Sequence, residues 1–221
     1  MNILAICAHP DDLEMNCAGT LLKYHQQGHK IFIATTSGNT DSDQILSAAI
    51  REAEQRKTAA FMDAQVRFLH VANEGLSDTP AARRAVLTAI RWADPDIIFT
   101  DASTDHAMTA SLVTRVILSV GGRHHNADLP PINKKPQVFF FTAGGNIKNH
   151  PRAYVDVTDV METKKKMLLC HESRQESRIE DFCDTMEDYC RRMGVQAGYE
   201  YAEGFTALDF AGYRGDYRLL P

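Results

Sequence analysis

Short, almost wholly apolar runs alternate along this chain with longer segments whose apolar residues recur every three or four positions. Asn2 to Ala8, Lys30 to Thr36, Val66 to Val71, Asp96 to Thr100 and Gln137 to Thr142 have the composition of buried strands, and Tyr154 to Val157 adds a shorter one. Between them the spacing predicts helices. The first covers Leu13 to Gln27, with Met15, Leu21, Leu22 and Tyr24 on one side and Gly28 as its stop. Others run from about Gln44 to Met62, from Thr79-Pro80 to about Trp92, and beyond His106 through Met108, Leu112, Val113, Val116, Ile117 and Val120. Two more cover Thr158 to about His171 and Ile179 to Met193, the latter ending at Gly194. The run Lys164 to Lys166 reads as a solvated face. The tail from Tyr201 onward shows no clear periodicity.

Strands alternating with helices predict an α/β fold, a Rossmann-like three-layer sandwich with a mainly parallel sheet covered by helices on both faces. Repeats, low-complexity tracts and linker-like breaks are absent from the sequence, so residues 1–221 are read as a single domain.

Charge and composition narrow the function classes. A net charge of −5 gives no electrostatic case for nucleic acid or an anionic membrane surface. No stretch approaches the eighteen or so apolar residues of a membrane span, and the amino-terminal strand is not a signal peptide. The cysteines (Cys7, Cys17, Cys170, Cys183 and Cys190) are odd in number and lack zinc-knuckle spacing, which fits a reducing cytoplasm.

Two strand ends carry ionisable clusters. The first strand stops at His9-Pro10-Asp11-Asp12, the fourth at Asp101-Ala102-Ser103-Thr104-Asp105-His106. All carboxyl ends of a parallel sheet lie on one edge, so the clusters can meet there, where open α/β sheets bind ligands. The turn is stiffened because Pro10 fixes its own φ and restricts His9. A plainer reading of HPDD is a strand end whose carboxylates cap the next helix. Two imidazoles and one carboxylate would instead leave a tetrahedral ion one open position, the pattern of hydrolytic zinc sites. A second carboxylate could move protons, so the chemistry implied is hydrolysis of an amide or ester.

The sequence resembles the PIG-L/LmbE-like family of metal-dependent deacetylases. AHPDD at 8–12 matches the first family motif, and DH at 105–106 matches the end of its H-x-D-H motif. The resemblance continues through REAE (51–54), CHES (170–173) and YAEGF (201–205). It implies His9, Asp12 and His106 as zinc ligands, Asp11 as general base, Asp105 as the holder of a neighbouring catalytic imidazole and Arg51 as a substrate contact. A surface pairing of Arg51 with Glu54 or Gln55 is the alternative for that residue. The implied activity is removal of an N-acetyl group from a small N-acetylglucosamine-type conjugate, by a cytoplasmic homo-oligomer. Iron, cobalt or manganese could replace zinc in the same donor set.

One departure stands out. Ser103 occupies the place of the first histidine of H-x-D-H. His171 is the first candidate to supply an imidazole instead, followed by His124 and His125; an ordinary helix-terminal histidine is the alternative for His171. The same departure motivates a second function, a metal-binding sugar-recognition or regulatory protein with little turnover. A nucleotide-binding protein of the Rossmann type is disfavoured, because the first turn lacks G-x-G-x-x-G. Glu14 and Glu203 are open between a site role and, respectively, a helix-dipole contact or an oligomer contact.

Overall fold

The computed structural model describes residues 1–37, 45–71, 76–101, 106–123, 128–141, 151–173, 179–210 and 213–221. Its centre is a seven-stranded sheet. The strands are β1 (Asn2–Cys7), β2 (Lys30–Thr35), β3 (Gln65–Phe68), β4 (Ile97–Asp101), β5 (Gln137–Phe141), β6 (Ala153–Asp156) and β7 (Ala202–Ala207), in the spatial order β3-β2-β1-β4-β5-β7-β6. The first five run parallel, and β7 lies antiparallel between β5 and β6. The helices are α1 (Asp12–Asn16), α2 (Ala18–Gln26), α3 (Ile45–Ala59), α4 (Pro80–Ala93), α5 (Ala107–Val116), α6 (Met161–Leu168) and α7 (Ile179–Ala197). The expected architecture is therefore the observed one.

Strand periodicity sorts the core into layers. On β1, Ile3, Ala5 and Cys7 face one cluster with Leu13, Leu21 and Tyr24, while Leu4 and Ile6 face another with Val86, Ile90, Leu112 and Val113. Both faces of β1 are dry, which is why its sequence is a continuous apolar run instead of an alternating one. A third cluster joins α6 to α7 through Met161, Leu168, Met186 and Tyr189. Local signals set several boundaries. Thr79 caps α4 by accepting from the Ala82 N–H at 3.1 Å, with Pro80 in the first turn. No helix among the described residues is long and apolar enough to cross a membrane.

Four local expectations are corrected. The first predicted helix is two helices, broken at Cys17 (φ −140°, ψ 5°). The last does not stop at Gly194 but continues to Ala197: a side chain at 194 would meet the Glu200 carbonyl oxygen at 2.5 Å, so the glycine serves close packing. The tail contains β7, whose buried Glu203 hides its strand character.

Lys164 is the fourth. It is fully buried, not solvated, and its Nζ lies 2.5 Å from Glu203 Oε1. The same carboxylate accepts from the Gly19 N–H at 2.9 Å, the Thr20 N–H at 2.8 Å and the Thr20 hydroxyl at 2.6 Å. These are the first donors of α2, which a carboxylate at a helix amino terminus satisfies. Glu203 thus ties β7, α6 and α2 together, and the lack of a side chain at Gly19 admits it together with Val157.

Candidate metal centre

Strand order reverses between β2 and β4 on either side of β1, and the pairing of Ile6 with Thr100 brings the carboxyl ends of β1 and β4 level. His9 to Asp12 leave β1 there, and His106 follows β4. The crevice at such a switch point is where open α/β sheets place ligands.

Asp11 has left-handed backbone geometry (φ 95°, ψ −22°), which for a residue other than glycine costs about 1–2 kcal/mol. Its neighbours over-determine that conformation. The Met15 N–H donates to the Asp11 carbonyl at 3.1 Å, and the His9 N–H donates to Asp12 Oδ2 at 2.8 Å. On α3, Arg51 Nη2 donates to the Pro10 carbonyl at 2.9 Å and stands 3.6 Å from Asp11 Oδ1. Arg51 thus grips the turn itself, not Glu54 or Gln55.

His9, Asp12 and His106 each offer a ligand atom within 4.8 Å of the others. His9 Nδ1 is 3.2 Å from His106 Nε2, and Asp12 Oδ2 is 3.9 Å from His9 Nδ1. Asp11 and Asp12 are both buried. Burial pushes the Asp12 carboxyl up to about 8; the His106 imidazole opposes this, Asp11 and Asp101 reinforce it, and the His9 N–H opposes it. A crowded set of buried carboxylates beside two imidazoles is the donor chemistry that a divalent cation neutralises, so these residues fit a metal ion.

His171 lies just beyond α6, its ring buried and its Nε2 3.3 Å from Glu14 Oε2, though not aligned as a hydrogen bond. Burial opposes the charge on both groups, but their mutual attraction prevails: the imidazole titrates above its ordinary range and the Glu14 carboxyl below. The Asp11 and Glu54 charges also act on the ring. Gln55 Nε2 donates to Glu14 Oε1 at 3.0 Å, while Glu54 accepts from the Ser173 N–H at 2.8 Å and its hydroxyl at 2.6 Å. One helix, α3, therefore grips the HPDD turn through Arg51, α1 through Gln55 and the CHES segment through Glu54.

The structure brings together His9, Asp11, Asp12, Arg51 and His106, with His171 behind the turn. Asp105, Ser103, His124 and His125 lie outside the described residues. Sequence reasoning assigned no role to Asp101, which ends β4 with Oδ2 2.5 Å from His106 Nδ1, and offered Glu54 only as an alternative partner of Arg51, whereas it binds Ser173. The available signal for Asp101 was its place as the last residue of a buried strand, five positions before a candidate ligand.

A mainly parallel sheet with an imidazole–carboxylate cluster at its switch point defines a protein of the α/β class whose strand-end donors fit a metal ion. Comparison with known proteins makes the class specific. The chain belongs to the PIG-L family, whose model, described as GlcNAc-PI de-N-acetylase, matches residues 4–117. A diacetylchitobiose deacetylase of Thermococcus kodakarensis is 26% identical over 229 residues, covering 91% of this chain and 81% of that protein. The structure of N,N'-diacetylchitobiose deacetylase from Pyrococcus horikoshii superposes with a TM-score of 0.80 at 22% identity, over 93% of this chain and 83% of that one. A 4-carboxy-2-hydroxymuconate hydratase from Pseudomonas putida shares the fold with a TM-score of 0.82 at 16% identity, over 98% of this chain and 100% of that one.

Proposed function

We propose that this protein is a metal-dependent N-deacetylase that removes an acetyl group from a small N-acetylglucosamine-type conjugate, with zinc as its resident ion. The observation that carries the reading is the convergence of His9, Asp12 and His106 within 4.8 Å, beside an Asp11 that the ligand set leaves over. Family membership and the diacetylchitobiose deacetylase relatives support the amide and the sugar.

His9, Asp12 and His106 would hold the ion. Bound there, zinc supplies Lewis acidity, lowering the pKa of water to about 7 and polarising an amide carbonyl. Asp11 accepts the proton of the attacking water and passes it to the departing nitrogen as the C–N bond breaks, leaving a free amine and acetate. Arg51 holds the Asp11 turn and is also proposed to contact substrate. His171, whose ring feels the Asp11 charge, is proposed as the second imidazole of the site. Asp105 is proposed to orient an imidazole, and the chain to work as a single-domain, cytoplasmic homo-oligomer.

The test is elemental analysis of wild type beside His106→Ala, with amine release measured on N,N'-diacetylchitobiose and a panel of N-acetyl glycosides and nucleotide sugars. The reading expects about one divalent ion per chain, little in the variant, and amine release by wild type alone. Wild type that takes up no zinc on soaking overturns it. Ser103 favours a second reading, a metal-bearing sugar-binding protein with little turnover. That reading expects binding of the same sugars without amine release, both in wild type and in Ser103→His.

A further inference from the structure

Asp101 closes β4 with its side chain wholly buried, and its backbone is fixed by register with Phe141 of β5. Its Oδ2 lies 2.5 Å from His106 Nδ1. The other nitrogen of that ring, Nε2, lies 3.2 Å from His9 Nδ1, inside the candidate ligand cluster. An ionised carboxylate only accepts hydrogen bonds, so the nitrogen facing Asp101 is the one that carries the proton. The nitrogen facing His9 then presents its lone pair.

Asp12 Oδ2 also approaches His106 Nδ1, but from 3.7 Å, and it already accepts from the His9 N–H. The closer, strand-borne carboxylate sets the ring. We propose that Asp101 is a positioning residue for the metal centre. It fixes His106 as the Nδ1–H tautomer, turns Nε2 toward His9, and raises the basicity of that nitrogen as a ligand. The proposal rests on reading His9, Asp12 and His106 as metal ligands and is independent of the substrate. A carboxylate at the end of a central strand suits this task, because its register with Phe141 of β5, one residue beyond the pairing of Thr100 with Ile6 of β1, holds it more firmly than a loop would.

The experiment compares wild type with Asp101→Asn, whose amide oxygen still accepts a hydrogen bond but carries no charge. Zinc and cobalt affinities are measured by competition with a chromophoric chelator. Nitrogen-15 NMR of the metal-free protein reads the His106 tautomer, and thermal unfolding reads folding. The expected result is a folded variant that binds zinc about 10–100-fold more weakly, with an altered cobalt spectrum and wild-type His106 protonated on Nδ1. Wild-type affinity in the folded variant overturns the proposal, as does metal-free wild type protonated on Nε2, a readout that remains if the variant does not fold. Wild type that binds zinc with this dependence on Asp101 yet releases no amine defeats the deacetylase reading alone. Wild type that deacetylates while Asp101→Asn retains full affinity defeats the Asp101 proposal alone. Wild type that binds no metal defeats both.

Discussion

Arg51 Nη2 donates to the Pro10 carbonyl oxygen at 2.9 Å and stands 3.6 Å from the Asp11 carboxylate, so one guanidinium holds both the backbone and the side chain of the turn between β1 and α1. A hydrogen bond from a charged donor contributes about 1.5–3 kcal/mol. Arg51→Ala should therefore lower kcat/KM about 10–100-fold while zinc content stays near one ion per chain. Arg51→Lys should recover little, because a lysine cannot span carbonyl and carboxylate with one planar fork. Steady-state kinetics beside elemental analysis checks both statements.

Asp11 combines a left-handed backbone with the proposed proton-transfer role. Asparagine tolerates that conformation better than alanine does. Asp11→Asn should unfold within a few degrees of wild type yet lose about 10²–10⁴ in kcat. Asp11→Ala should lose similar activity and a further 1–2 kcal/mol or so of stability. Denaturant melts of the two variants separate strain from chemistry.

Glu54 and Ser173, two hydrogen bonds apart in space and 119 positions apart in sequence, should behave as one unit. Glu54→Ala, Ser173→Ala and the double variant form a cycle whose coupling energy should fall at about 0.5–3 kcal/mol. Strict additivity in urea unfolding would show that the Ser173 hydroxyl does not couple to Glu54, the backbone N–H bond being kept in Ser173→Ala.

The buried Lys164–Glu203 pair predicts an asymmetry. Lys164→Met leaves an uncompensated carboxylate and should cost about 3–5 kcal/mol. Pairing it with Glu203→Gln should recover part of that loss, since the amide oxygen in the place of Oε2 still accepts from the Thr20 N–H and hydroxyl, although the amide nitrogen accepts nothing from Gly19. Glu203→Leu in the same background should recover less, because those donors then lose their acceptor. Three denaturation curves decide the order.

His171 sets a pH dependence. Its imidazole faces Glu14 and feels Asp11 and Glu54, and the attraction raises its pKa above the unfolded value of 6.5. Its contribution to stability is full below pH 6.5 and is lost as pH rises through the raised value. Glu14, lowered from 4.5, adds stability that is lost as pH falls through its own depressed value. The Tm difference between wild type and His171→Gln should be widest between about pH 4.5 and 6.5 and narrow on alkaline titration. A difference that is flat from pH 5 to 9 would contradict the ion pair.

The strands and the crevice were legible because their signals are local. The apolar runs of β1, β2, β4 and β5 and the HPDD turn are written in consecutive residues, and parallel geometry does the rest. Long-range polar contacts were not legible. Lys164 sits beside Lys165 and Lys166 and looks solvated until Glu203, 39 positions away, is brought against it. The break at Cys17 is invisible in the helical spacing around it, because α2 begins on a carboxylate 184 positions distant. β7 escaped notice for the same reason: its buried glutamate breaks the apolar pattern of a covered strand. Asp101 was in view but unassigned, since nothing in D-x-x-x-x-H says which nitrogen of the ring it will meet.

The Glu203 tie also has a consequence for how the chain comes into being. A ribosome releases the HPDD turn early, but the carboxylate that completes the amino terminus of α2, one residue beyond α1, emerges 184 residues after Gly19. Until then the Gly19 and Thr20 donors of that helix lack their carboxylate, and the ammonium of Lys164 has only the Met15 carbonyl and the Cys190 sulfur as protein partners among the described residues. The family motif at the amino end is therefore finished by the last strand of the sheet, and a nascent chain arrested before β7 carries every proposed ligand without the frame that holds them in register.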